Sequence, residues 1–440
     1  MWTDNLRIMY QYGLTRHGRR FRSREELGRW QERRLLHHLE KVRKGSPFYK
    51  ELWGSRPVTD WRDFPMIDKS LMMAHFDQLN TAGIRKEDAF ALALEAERTR
   101  EFTPQIGGMT IGLSSGTSGN RGLFLISPAE RMAWAGAILA KVLPGSLFAR
   151  HSIAFFLRAN SNLYGTVGSR RLRFEFYDLL DSMEQHLSCL NEQKPSLLVA
   201  PPSMLRLLAE QQRQGRLRIH PERILSVAEV LDPLDKRYVE EAFGQPVHQV
   251  YQCTEGLLAA TCSHGTLHLN EDIVYIQKEY VDHSLRKFVP IITDFSRYAQ
   301  PIVRYRLNDL LTEREQACSC GSPFTAIEMI EGRCDDVYYF PAVSGSQWIP
   351  VFPDFISRAI IAASGEVEAY HAVLHAADRL EISLQVKADE RAGAQTAIAG
   401  ALEVLCARVG CRMPRLEFTS YQPQVSGGRK LRRVESRAGR

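Results

Sequence analysis

Apolar residues recur at helical spacing between residues 24 and 44, where Leu27, Trp30, Leu35, Leu39 and Val42 share one face. Ser23, with Glu26 three residues on, is the signature of a capped start; Gly45, Ser46 and Pro47 end the helix. Residues 129–143 repeat the helical period, whereas HSIAFFLRA (151–159) is a continuous apolar run of strand length. From residue 184 the two periods alternate: a helix to about Gln193, a strand at 196–201, a helix at 203–214, a strand at 224–230, a helix at 233–243 and a strand at 247–253. Alternation of this kind predicts parallel β-α-β units with ligands at the carboxyl ends of the strands, which places Glu229 and the segment after Tyr251 at the ligand edge. Residues 337–440 read as strand, helix (352–363), strands (366–375 and 379–387), helix (391–409) and strand (415–421), a small split β-α-β-β-α-β unit. The expected fold class is α/β: a large N-terminal region of parallel β-α-β sheets followed by a small α+β region.

Composition adds bounds. The 440 residues suit two or three domains, and 44% hydrophobic with 25% charged residues is ordinary for a soluble globular protein. The best apolar run, 132–143, is cut by Lys141 and stopped by Pro144, short of a membrane span. The first residues lack the order of a signal peptide, so the expected location is cytoplasmic. The net charge of +6 is concentrated in 16–44 and 429–440. No nucleic-acid-binding motif accompanies these clusters, and a solvated helix face plus a basic tail is the preferred reading. Such a surface also suits anionic ligands such as ATP or a phosphopantetheine carrier. Eight cysteines without a secretion signal argue for reduced thiols or metal.

Three segments carry candidate chemistry. TIGLSSGTSGNRGLFLIS (110–127) sets Gly116, Gly119 and Gly122 among Ser114, Ser115, Thr117 and Ser118, between strand-like flanks. Glycines allow several N–H groups to converge, and the hydroxyls add donors, so the first reading is a phosphate-gripping loop. It lacks the Gly-Lys-Ser/Thr ending of a Walker loop. GLSSG also matches the elbow of a serine esterase with Ser114 as nucleophile, but an elbow needs a helix next and more loop follows. A ligand-free Ser/Gly turn is the remaining alternative. In YQCTEG (251–256), Glu255 just past a strand end suits Mg²⁺, which takes one or two carboxylates and fills its shell from phosphate and water. Cys262, His264 and His268, with Cys318-Ser319-Cys320 some fifty residues later, offer thiolate and imidazole ligands for Zn²⁺; free buried cysteines are the alternative.

SSGTSGNRG resembles the phosphate loop of the adenylate-forming enzymes, the acyl-CoA synthetases and their relatives, and in detail phenylacetate–CoA ligases and the deazaflavin-adenylating synthetases. Asn120 and Arg121 stand where those ligases usually carry Lys and Pro. SPFYKELW and FPMIDKSLM resemble N-terminal landmarks of the same ligases. The resemblance implies that Ser114, Ser115, Gly116, Thr117, Ser118 and Gly119 hold phosphates, that Tyr251 packs near adenine, that Thr254 meets the phosphate and that Glu255 holds Mg²⁺. VRYRLNDLL resembles the motif whose Asp bonds the ribose, here Asp309, with Asn308 replacing the usual Gly; Arg304 and Arg306 are alternatively structural ion-pair residues. Leu267-His268-Leu269 matches the relatives' histidine context, giving a zinc set of Cys262, His268, Cys318 and Cys320. EGRCDD resembles the hinge motif, with Arg333 reaching the nucleotide and Asp335 the pivot, so the implied domains are 1–334 and 335–440. VYYFPAVSGSQWIPVFP departs from the ligases' post-hinge pattern. SGGRKLRRV resembles the catalytic-lysine segment, with Lys430, Arg433 and Val434 in place; an ammonium there would offset charge developing in acyl transfer to phosphate.

The implied activity is activation of a carboxylic acid, by default aromatic, with ATP and Mg²⁺ to an acyl-adenylate. Rotation of the small domain then lets a thiol of CoA or a carrier protein attack. The acid pocket is expected between the 225–255 strand ends and 151–165, with Phe155, Phe156 and Tyr164 as lining candidates. The relatives' habit also implies a homodimer, and neither nucleic acid nor membrane is expected as a partner. Adenylyl transfer to a phenol or phosphate, a serine esterase, a nucleic-acid-binding protein and a catalytically dead relative are the competing readings.

Overall fold

The computed structural model describes residues 2–114, 121–157, 160, 162–169, 171–422 and 432–438. Ser115, Gly116, Thr117, Ser118, Gly119 and Lys430 lie outside them.

A twelve-stranded sheet dominates the chain. Its first five strands run parallel in the order Leu172–Asp178, His151–Leu157, Leu197–Ala200, Arg223–Ser226 and Val247–Cys253. Helices Met183–Gln193, Pro202–Arg213 and Pro233–Phe243 connect them, as the alternating periods predict. The direction changes after Val247–Cys253. Gly256–Thr261 pairs antiparallel with it, and Leu267–Leu269, Ala326–Arg333, Asp309–Glu313, Lys287–Asp294 and Val274–Asp282 continue antiparallel to the far edge. The expected parallel sheet is therefore one half of a mixed sheet. The other half escapes a period-two reading because strands such as Gly256–Thr261 and Lys287–Asp294 are buried at every position.

Helix Pro128–Val142 covers the parallel half. Ser127 and Glu130 cap it reciprocally, satisfying two otherwise orphaned N–H groups. Gly136 brings it against the N-terminal helix Trp2–Gly13: a Cβ there would lie 2.5 Å from the Ile8 carbonyl oxygen and 2.9 Å from the Tyr12 nitrogen. Strands Met109–Leu113 and Leu123–Ile126, which flank the expected phosphate loop in sequence, pair as a separate hairpin, with the Ser114 N–H donating to the Gly122 carbonyl at 2.7 Å.

Beyond Asp336 the chain forms a second core. The hairpin Tyr338–Pro341 with Trp348–Val351 precedes a four-stranded sheet ordered Arg415–Ser420, Arg379–Gln385, Ala369–Ala376, Val434–Ser436. Helices Pro353–Ala363 and Arg391–Val409 complete it. The element order is the expected β-α-β-β-α-β, and only the sheet membership differs. The first expected strand is in the hairpin, and the vacated edge is taken by Val434–Ser436, parallel to Ala369–Ala376. Val434 is buried in that core and Arg437 pairs with Glu435, so these residues are not a loose basic tail. Among the described residues, no helix is long and apolar enough to cross a membrane.

Candidate active site

A cavity of about 1220 Å³ lies where the sheet changes direction. Its polar centre is built from the loop after Val247–Cys253. Glu255 lines it with both carboxylate oxygens held: Oε1 accepts from the Tyr305 hydroxyl at 3.0 Å and Oε2 from Thr254 Oγ1 at 2.8 Å. Burial, and then the Glu255 charge, push the Tyr305 phenol far above its ordinary range, so it stays a donor. A carboxylate has about four lone-pair sites, so two remain here for a hard cation. That donor set fits Mg²⁺ shared with phosphate.

Beside it, Tyr251 donates to Asp309 Oδ2 at 2.5 Å, and burial followed by Asp309 raises the Tyr251 pKa. Strand pairing sets Asp309 opposite Arg333, and both line the cavity. Asp335 follows in the short turn Cys334–Asp336, where its Oδ2 accepts from Asn308 Nδ2 at 2.6 Å. Arg306 pairs with Glu279 at 2.6 Å. Arg304 donates instead to the backbone carbonyls of Trp61 and Arg62, which ties the N-terminal region to the sheet. Glu229 reaches the N-terminus of helix Pro202–Arg213, accepting from the Ser203 N–H at 3.2 Å. Its neighbour Ala228 has φ +68°, a conformation an alanine adopts only where surrounding structure enforces it.

Lys69 enters this site without a place in the sequence reading. Its Nζ donates to Ser114 Oγ at 3.1 Å, and it lines the cavity with Glu255. Burial lowers its pKa, the Glu255 charge opposes that, and Arg333 and Arg121 lower it further. Arg121, which follows the position of the loop lysine, is in a fork with Glu97, Nη1 standing 2.8 Å from Oε2. The DKS run within FPMIDKSLM is the signal that could have singled out Lys69. Ser114 Oγ also accepts the Gly122 N–H at 2.8 Å, and the strand after this loop pairs back in a hairpin where an esterase elbow would require a helix.

The far wall is apolar. Trp134, Phe155, Tyr164 and Phe174 line it as an unbroken aromatic set, with centroids 5.8 Å (Trp134–Tyr164), 4.8 Å (Phe155–Tyr164) and 5.6 Å (Phe155–Phe174) apart. Phe156 does not join it: successive strand residues face opposite sides, and Phe156 stacks on Tyr177 at 4.6 Å beneath the sheet.

A second cluster lies elsewhere on the antiparallel half. The donor atoms of Cys262, His268, Cys318 and Cys320 are all within 4.8 Å of one another. Cys262 Sγ is 3.8 Å from Cys318 Sγ, and Cys320 Sγ is 3.4 Å from His268 Nε2. Tetrahedral Zn²⁺ with Zn–S near 2.3 Å requires sulfur pairs about 3.8 Å apart. His268 Nδ1 meets the Phe324 carbonyl at 3.1 Å, which turns the Nε2 lone pair toward the thiols. The residues fit a closed structural zinc site. His264 stays outside, against Ser319 Oγ at 2.9 Å.

The fold is similar to that of solved acyl-CoA ligases. In sequence, the chain is 23% identical over 395 residues to the phenylacetate-coenzyme A ligase of a Thermus thermophilus strain, covering 83% of this chain and 82% of that one. In structure, it is similar to 2-hydroxyisobutyryl-CoA ligase in its postadenylation state with 2-HIB-AMP (TM-score 0.70, 18% identity, 95% and 90% of the two chains covered). It is also similar to the GH3.15 acyl acid amido synthetase (TM-score 0.56, 13% identity, 89% and 86% covered). No family model matches the chain.

Proposed function

We propose that this protein activates a carboxylic acid with ATP, forming an acyl-adenylate and pyrophosphate, and passes the acyl group to a thiol of CoA or of a carrier protein. The observation that carries this reading is the convergence in one cavity of Glu255, fixed by Thr254 and Tyr305, with Lys69 at the phosphate-loop hairpin and the Tyr251–Asp309 pair. In this reading Asp309 accepts from the ribose, Lys69 and the loop 114–119 bind the phosphates, and Thr254 orients Glu255. Mg²⁺, held by Glu255, supplies charge neutralisation at the phosphates. The acid lies against Trp134, Phe155, Tyr164 and Phe174, whose flat faces suit an aryl group. Residues 1–334 form the adenylating domain and 335–440 the moving one, with Asp335 as pivot and Lys430 delivered to the α-phosphate. Cys262, His268, Cys318 and Cys320 hold a structural Zn²⁺. The similarity to a phenylacetate-coenzyme A ligase supports the choice of acid.

The test is incubation with ATP, Mg²⁺ and a pool of aryl and alkyl acids, with and without CoA, followed by mass spectrometry. AMP with an aryl-CoA is the expected result. A stable adenylated product overturns the thiol step, an alkyl-CoA overturns the aryl choice, and no ATP turnover with any acid overturns the reading.

A further inference from the structure

Helix Pro233–Phe243 belongs to the parallel half of the large sheet, yet its first turn is buried against the C-terminal core. Asp235 is fully buried there and lies between two guanidinium groups. Arg206, from its own side, donates Nη1 to Oδ1 at 2.9 Å. Arg433, from the C-terminal side, closes a fork, with Nη2 2.6 Å from Oδ1 and 2.7 Å from Oδ2. Arg433 also donates to the Tyr370 carbonyl at 2.9 Å. One turn back, Asp232 caps the helix and accepts the Tyr370 hydroxyl at 2.7 Å, while Arg206 Nη2 reaches the Glu368 carbonyl at 2.9 Å. Leu234 packs between these polar contacts in the C-terminal hydrophobic core.

Arg433 stands three residues after Lys430 and directly before the edge strand Val434–Ser436. Arg432 and Arg433 both line the cavity, so a bond at Arg433 fixes this edge of the C-terminal core relative to the large domain. Breaking a buried, hydrogen-bonded ion pair by removing one partner is costly, because the other charge is left without compensation. A rotation about Asp335 must separate Asp235 from Arg433 and Asp232 from Tyr370 together, since each pair joins the two sides.

We infer that Asp235 is a positioning residue for the adenylation step: through Arg433, which lines the cavity with Arg432, it latches the C-terminal region in the orientation described, and the latch must open before the thiol step. This inference rests on the two-step reaction proposed above. It also gives Asp235 opposite effects on the two half-reactions, which a merely structural residue would lack.

The experiment compares the full-length protein with Asp235→Asn and with Tyr370→Phe, which deletes a single hydroxyl and keeps the variant set informative if the first fails to fold. Small-angle X-ray scattering reads domain release directly. Pyrophosphate exchange then reads adenylation, and CoA-thioester formation from supplied acyl-adenylate reads the second step. Expected are an enlarged radius of gyration, exchange lowered about tenfold or more, and a thioester rate unchanged or raised. Unchanged scattering in folded variants overturns the latch. Enlarged scattering with both half-reactions lowered equally overturns its role in positioning. If the wild type exchanges no pyrophosphate but the variants still expand, the latch stands and the proposed reaction falls.

Discussion

Lys69 Nζ and Ser114 Oγ are 3.1 Å apart, and the same hydroxyl accepts the Gly122 N–H, so one serine joins a distant lysine to the phosphate-loop hairpin. Asn120 occupies the position where related loops carry lysine, and Arg121 is engaged by Glu97. In the proposed reading, a cation for the phosphates therefore comes from Lys69, 45 residues upstream of Ser114.

Lys69→Ala should lower pyrophosphate exchange about 10²- to 10³-fold, the range found when one preorganised donor is removed from a developing oxyanion. Arg121→Ala should have a small effect, being part of a partly exposed ion pair. Because burial lowers the Lys69 pKa, its charge should be lost with rising pH earlier than for an ordinary lysine, so the alkaline fall of ATP affinity should begin below the usual lysine range. Equal exchange in Lys69→Ala and wild type would remove this residue from the site.

Replacing Lys430 by alanine should cripple adenylation and spare thioester formation from supplied acyl-adenylate. Survival of both half-reactions would show that the lysine assignment, made from the C-terminal motif alone, is wrong.

Protein purified without chelator should contain about one zinc per chain by elemental analysis, and Cys320→Ala should release it with a fall in thermal stability. Metal-free wild-type protein of undiminished stability would instead identify three free thiols and an imidazole packed together.

Gly136→Ala adds a methyl group where backbone atoms of Ile8 and Tyr12 already stand. Neither neighbour is a flexible side-chain end, so the N-terminal helix must shift. A loss of about 1–3 kcal/mol in denaturant unfolding is expected. No measurable change would mean that this helix contributes little to stability.

Asp294 makes stability depend on pH. Burial raises its pKa from 3.8 to about 6, against the Ser296 hydrogen bonds and Arg297 that favour its charge. The native state thus holds a proton that the unfolded chain has released between those values, so stability contributed by this group falls as pH rises from about 4 to 6. The two-unit difference corresponds to about 3 kcal/mol at most. Asp294→Asn should flatten that limb of the stability profile; an unchanged limb would exclude Asp294 as its origin.

Local patterns carried much of this structure. Helix 233–243 and strand 247–253 occur at the residues where the period changed, because each helix has one polar face and each connection is short. The antiparallel half was opaque, since a strand buried throughout, such as Lys287–Asp294, has no alternation to read. Its lysine is hidden in the same way: Lys287 is buried by pairing with Glu331, a partner 44 residues distant. Glu255, Tyr251 and Asp309 were legible from motifs, and the structure brings them to one cavity. Lys69 and Tyr305 were not, because their relevance arises only when separate segments meet at Ser114 and Glu255. Phe155 and Phe156 illustrate a finer limit: a run of adjacent aromatics does not say which one faces the ligand.

The reversal of strand direction after Cys253 also divides the labour of the cavity. In the proposed reading, acid-side residues such as Phe155 and Phe174 come from the parallel half, Asp309 and Arg333 on the nucleotide side come from the antiparallel half, and Tyr251 stands on the strand where the two meet. In the sheet the two halves are hydrogen-bonded through the strand pair Val247–Cys253 and Gly256–Thr261, while Leu257 and Ile273 pack into the core of the parallel half. On that reading, a laboratory search for new acids should confine its libraries to the aromatic wall around Phe155 and Phe174 and leave the Asp309 side untouched.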